Sequence, residues 1–256
     1  MASTPITFSI MKTHDTNKKI EQDENGYYYV TLGAINSYNS QGMFYIADGV
    51  KELVEDHSTL FTRRLKSGYL NGELGHPDLT PGMSKDEFIN RNLTIDISNV
   101  SHHIRSVEFV PTNIPSGKPG SGNVIKIMGW VKPSGAKGDI LKQSLDNPDQ
   151  NTAFSIRCLT YDDFSVTPAT KKIVQIITWD FVIEPGIKCA NSWSTLEKGG
   201  VAIESKDILT IDLGDSINKL NVCNGLSLEA KENLDSLREL EYKMKSNNKT
   251  DAFNNW

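Results

Sequence analysis

The run KKIVQIITWDFVI (171–183) constrains the fold more than any other stretch of this chain. It is rich in β-branched and aromatic residues and is the strongest strand signal present. With a period of two, Val174, Ile176, Thr178, Asp180 and Val182 share one face. Four of these can sit in a core. An aspartate there loses its hydration and needs a cation or hydrogen-bond donors. Two readings of Asp180 fit: a structural salt bridge to an arginine, or a carboxylate that partners a functional imidazole.

Further strands are expected at GYYYVTLGAI (26–35), NLTIDISNV (92–100), HIRSVEFVP (103–111), NVIKIMGWV (123–131) and TAFSIRCLTY (152–161). Helical spacing of Val50, Leu53, Val54, Leu60, Phe61 and Leu65 predicts a helix within 47–68, stopped by Gly68. A short helix is expected in 135–147, and the turn-rich 111–122 is expected to be a loop. Near the C-terminus, Leu226, Ala230, Leu234, Leu237, Leu240 and Met244 form the stripe of an amphipathic helix. Strands and helices do not alternate as βαβ units. The expected fold is therefore α+β, with a mainly antiparallel sheet or barrel. Three regions follow: a polar, loosely attached segment at 1–25, one domain at 26–225, and the C-terminal helix and tail at 226–256.

A net charge of −5 over 256 residues argues against a binder of phosphate backbones. Three separated cysteines, Cys158, Cys189 and Cys223, with no CxxC pair, suggest a reducing compartment without a disulfide framework or zinc knuckle. No apolar run reaches membrane-spanning length, and the first residues lack the apolar core of a signal peptide. The expectation is a soluble chain, intracellular at synthesis.

Candidate chemistry gathers at three places. In LNGELGHPDL (70–79), His76 stands between a glycine that frees the backbone and a proline that keeps it out of helical geometry. That corner is either a plain turn or a device for aiming a base. Glu73 in the same corner reads as an exposed or turn-bonding glutamate, with orientation of the imidazole as the functional alternative. On TAFSIRCLTY, Ser155 and Arg157 share a face with Ala153 and Leu159, while Phe154, Ile156 and Cys158 point the other way. No G-x-S-x-G elbow is present. His76, Ser155 and Asp180 are the residue types a serine hydrolase requires: a base, a hydroxyl nucleophile, and a carboxylate that orients the base. A zinc site is disfavoured, because adjacent His102 and His103 on one strand face opposite ways. No metal or organic cofactor is expected. Trp130 and Trp179 read as core or wall residues.

The succession LNGELGHP, NVSHHIRSVEF, GNVIKIMGWVKPSGAKGDILKQSLD, AFSIRCL and ITWDFVIEPGIKCA resembles the prohead proteases of tailed phages, most of all those of large myoviruses. The upstream NSYNSQGMFYIADGVKELVED is also similar, so the resemblance covers about residues 30–190. It implies a fold like that of herpesvirus assemblins, a mainly antiparallel β-barrel surrounded by helices, and a serine endopeptidase. Position by position, His76 matches the general base and Ser155 the nucleophile. Arg157 matches an arginine that positions backbone amides or binds the oxyanion. Asp180 is the expected third member, with His102 the alternative. Ile156, Cys158 and Glu184-Pro185-Gly186 depart from the family pattern, which bears on the oxyanion geometry more than on the triad.

The resemblance also implies cleavage after glutamate of phage scaffold and capsid proteins, inside the prohead in the host cytoplasm. No nucleic acid or membrane partner is expected. Precursor trimming is a family habit. Here Ser227-Leu228-Glu229 followed by Ala230 is the expected self-cleavage site, unless Ser227 simply caps a helix. The rival reading is a non-catalytic head or tail structural protein on a related fold.

Overall fold

The computed structural model describes residues 5–14, 20–38, 42–56, 59–147, 150, 152–182, 203–204 and 210–212, with the single positions 232, 235, 238 and 242. In chain order, strands β1 (Pro5–His14), β2 (Glu21–Gln22), β3 (Tyr28–Ile35), β4 (Ser37–Tyr38) and β5 (Phe44–Tyr45) lead into helices α1 (Val50–Glu55) and α2 (Leu60–Lys66). Then come β6 (Asn71–Glu73), α3 (Lys85–Leu93), a 3-10 turn (Ile97–Asn99), β7 (Val100–Pro115) and β8 (Asn123–Pro133). Helix α4 (Gly138–Asp146) precedes β9 (Ala153–Asp163), β10 (Thr170–Val182), β11 (Ile203–Glu204) and β12 (Thr210–Asp212).

Among the described residues these strands form two sheets. One has the order β11-β1-β9-β10-β5-β4, with β12 also on β1; the other runs β2-β3-β8-β7-β6. Pairing within them is antiparallel except for the short β5–β10 contact. The fold is α+β with mainly antiparallel sheets and few helices. A single parallel bridge, Leu74 to Phe181, ties the two sheets together.

That bridge forms because β5 pairs with β10 only at Thr170 and Lys171, leaving the far half of β10 open on that side. Backbone groups left open in an interior need partners. The end of β6 supplies them: Gly75 N–H donates to the Phe181 carbonyl at 2.7 Å, and Thr178 Oγ1 donates to the Asn71 carbonyl at 2.7 Å. The core lies on the other face of β9 and β10. Phe154, Ile156 and Cys158 meet Ile176, Trp179 and Phe181 there, under Leu32, Ile127 and Val131 of the second sheet. Trp179 is fully buried and meets Phe61 edge to face, whereas Trp130 is half-buried beside Tyr29.

Besides residues 111–115, which fall in the stretch read as a loop but end β7 with Pro111 opposite Ile125 and Pro115 opposite Asn123, the structure departs from the sequence reading in four places. Residues 5–14 belong to the sheet, paired with β9 from Ile6↔Tyr161 to His14↔Ala153, although 1–25 reads as loose. Ile6, Phe8 and Ile10 alternate with Thr7 and Ser9, a period of two that polar flanks conceal. The stretch 92–100 is not a strand: it finishes α3 and makes the 3-10 turn. Ser84 and Glu87 form a reciprocal capping box at the start of α3, a signal legible as Ser-Lys-Asp-Glu. The helix expected over 47–68 is two helices, α2 being capped by Thr59. Finally, β10 shifts register between Ile176 and Thr178, so Ile176 joins the core while Thr178 and Asp180 face away from it. At the C-terminus the four described positions are helical, and Glu232 forms an ion pair with Arg63 of α2 at 3.4 Å.

Gly72 packs directly against the Trp179 carbonyl of the other sheet and the His102 ring of its own. A Cβ there would lie 2.0 Å from the Trp179 carbonyl oxygen and 2.3 Å from the His102 ring. We expect Gly72→Ala to cost about 2 kcal/mol or more, read from the urea unfolding midpoint. An unchanged midpoint would show that β6 is free to shift.

Candidate active site

The face of β9 and β10 turned away from the core carries Ser155 and Arg157 on one strand and Thr178 and Asp180 on the other. Ser155 is registered directly across from Asp180, and Arg157 across from Thr178. Directly opposed residues of an antiparallel pair present their side chains to the same face. All four are buried. What covers them is the segment after β6, which returns across β10 through the histidine corner. Gly75 takes φ +73°, the left-handed conformation that a glycine accepts readily, and its N–H is fixed on Phe181. The next residue, His76, thereby points its ring back at β10. Its Nδ1 lies 2.9 Å from Asp180 Oδ2, with the histidine side chain 9% exposed and the aspartate fully buried.

Each Asp180 oxygen takes two hydrogen bonds. Oδ1 accepts from Glu73 N–H at 2.9 Å and from Arg157 Nη2 at 2.8 Å; Oδ2 accepts from Arg157 Nε at 2.9 Å and engages His76. Burial alone would keep this carboxyl protonated. The Arg157 guanidinium and His76 outweigh it, and hold the group well below the usual carboxylate range. Because Asp180 is ionised, the proton on the imidazole sits on Nδ1 and donates to it. That turns Nε2 away from the carboxylate.

Both readings of Asp180 are therefore realised at once: it pairs with an arginine and it holds an imidazole. Arg157 is equally committed. Burial works against its charge, but Asp180 and Glu73 more than compensate and raise its affinity for the proton. Its remaining contacts run to Glu73 Oε1 at 3.1 Å and to the Thr94 carbonyl at 2.9 Å. Its contacts hold two carboxylates and one carbonyl. Ser155 Oγ is buried and makes no hydrogen bond among the described residues.

Glu73 differs from the sequence reading. It is neither exposed nor turn-bonding but wholly buried, and it does not orient the imidazole by contact. Both its oxygens bind the Arg91 guanidinium, and they also accept from Asp96 N–H at 2.9 Å and Asn99 Nδ2 at 3.1 Å. The sequence offers no local signal for this, since Arg91 and Arg157 lie 18 and 84 positions away (91 − 73 and 157 − 73).

His102 occupies a different place. Its Nδ1 meets Ser101 Oγ at 2.9 Å and its ring packs edge to face on Phe154. Asp180 and not His102 contacts the far nitrogen of His76. His103 faces the other way, toward Tyr27, as alternation requires. No group of three metal-ligating side chains occurs among the described residues. Glu229 and Ala230 lie outside the described residues.

Comparison with known proteins places the chain in a family. The Peptidase S80 family model matches residues 6–240, and the chain belongs to that family. It is 36% identical over 187 residues to the capsid maturation protease of Pseudomonas phage phiKZ. The alignment covers 70% of this chain and 66% of that relative, so part of the phiKZ protein has no counterpart in it. The solved structure of the bacteriophage T4 capsid assembly protease is also similar, with a TM-score of 0.48 and 13% identity, covering 70% of this chain and 99% of that one.

Burial depresses the basicity of His102 from 6.5 to about 4, with Asp180 and the Trp179 backbone opposing the shift only in part. A depressed folded-state value means that the stability contribution is complete above pH 6.5 and is lost as pH falls toward 4. The loss is about 3 kcal/mol across that window. We expect acid unfolding curves to steepen there, and His102→Gln to flatten them. A variant with an unchanged slope would exclude His102 as the source.

Proposed function

We propose that this chain is a serine endopeptidase that processes phage scaffold and capsid proteins during head maturation, with Ser155 as nucleophile, His76 as general base and Asp180 as the orienting carboxylate. One observation carries the reading: Asp180 contacts His76 Nδ1 while standing directly across the strand pair from Ser155. In the proposed reaction Ser155 Oγ attacks the scissile carbonyl and its proton passes to His76 Nε2. Asp180 stabilises the resulting imidazolium, and the proton is then delivered to the leaving amine. Ser155 is fully buried, so its cover must be displaced before a substrate enters. Family membership and the named function of the phiKZ relative support the substrate class and the site of action, inside the prohead in the host. The closed assemblin-like barrel, the continuous C-terminal helix and cleavage after glutamate belong to the same proposal. No metal or organic cofactor takes part.

Incubating the pure protein with a fragment of scaffold protein tests it. We expect cleavage by the parent chain and at least a thousand-fold loss in Ser155→Ala, with the unfolding midpoint moved by no more than about 1–2 kcal/mol. Retained turnover in that variant would make Ser155 structural and end the serine assignment.

The C-terminal expectation is checked separately. Self-cleavage between Glu229 and Ala230 would remove 27 residues (256 − 229). Mass spectrometry of aged parent protein should show that loss, and aged Ser155→Ala should keep full mass. A parent that stays whole while cutting scaffold would leave Ser227 as a helix cap.

A further inference from the structure

We infer that Glu73 and Arg91 are positioning residues that set the basicity of the His76–Asp180 pair through Arg157. The inference rests on the proposed catalytic reading. It starts from a difficulty in the geometry. A guanidinium held by both oxygens of Asp180 neutralises the carboxylate that should stabilise a protonated His76. Unopposed, Arg157 would make the histidine a poorer base. It is opposed: Glu73 meets the same Arg157 Nη2 at 3.1 Å and returns a negative charge to the cluster. Glu73 is in turn moderated by the two-pronged contact of Arg91, whose side chain reaches solvent with 24% exposure.

The result is an alternating row running from the protein's edge to the imidazole: Arg91, Glu73, Arg157, Asp180, His76. Within it the two cations and two carboxylates balance, and any single deletion leaves one uncompensated charge in a medium where charges act strongly. The groups around the row are few. Asp96 turns its carboxylate to Ser98, at 2.9 Å from the amide and 2.7 Å from the hydroxyl. His102, on β7, is held neutral at neutral pH by its burial. Asp78, on the turn that carries His76, is exposed. Glu73 also joins the row mechanically, since its own N–H holds Asp180 Oδ1 and its oxygens pin Asp96 N–H and Asn99.

Two variants with opposite expected signs provide the test. Glu73→Gln leaves excess positive charge beside Asp180, which disfavours the imidazolium. The acid limb of the kcat/KM profile should move to lower pH by about half a unit or more. Arg91→Gln leaves excess negative charge, so the limb should move to higher pH by a similar amount. Arg91→Lys, which keeps the charge, should restore the parent limb. In all of them kcat should change while KM stays within about two-fold, because no member of the row needs to touch substrate for this effect.

A merely structural network would lower activity without moving the limb, or move it the same way in both variants, and either result overturns the inference. Should Glu73→Gln fail to fold, Arg91→Gln decides alone: an unmoved limb refutes the inference and an upward shift sustains it. Failure of the catalytic reading itself looks different, as a parent protein that cleaves nothing, or a Ser155→Ala variant that cleaves as the parent does.

Discussion

Everything at the candidate site depends on one buried cation. Arg157 is 1% exposed and touches the carboxylates of Asp180 and Glu73 and the Thr94 carbonyl. It therefore links strand β9 to β10, to the end of β6 and to the segment after α3. Buried ion pairs are poor evidence for stability, because apolar replacements of the same volume often do as well. What they impose is geometry. A carboxylate with both oxygens occupied has one orientation available, and the imidazole that meets it inherits that orientation. Removing one member is costly, on the order of 3–5 kcal/mol, since a naked charge is left behind.

The division of labour between the two faces of the β9–β10 pair follows from the same constraint. The core face is aliphatic and aromatic, from Phe154 to Trp179, and needs no polar compensation. The other face carries Ser155, Arg157, Thr178 and Asp180, and these are equally buried. It can exist only because the chain after β6 brings a matching set of charges and backbone donors over it. The histidine corner is part of that cover, which is why the imidazole arrives from a distant part of the chain and not from a neighbour in sequence.

Much of this was legible in the sequence. The strands around Tyr28, Met128, Ser155 and Trp179 stand where alternation and β-branching put them, and the demand of an inward Asp180 for partners was clear from its neighbours. The less visible parts have physical reasons. In 92–100 the apolar residues Leu93, Ile95 and Ile97 alternate like a strand, while the capping box nine residues upstream of Leu93 dictates a helix. The bulge near Ile177 has no local signature, because it answers to the register of β9. Glu73 looked like a turn residue since its partners come from other elements, and charge pairing across a fold leaves no periodicity. Whether a glutamate is solvated or buried is decided by what lands on it.

The separations along the chain carry a consequence for assembly. His76 and Asp180 are 104 residues apart, Glu73 and Asp180 107, Thr94 and Arg157 63. Contacts of such span each require the closure of a long loop, whose entropy cost must be met before the contact forms. Until Leu74 docks along Phe181, the imidazole stays unaligned with the aspartate that Arg157 holds on the β9–β10 pair. The arrangement at this site is thus a property of the assembled fold and of no single strand or corner within it.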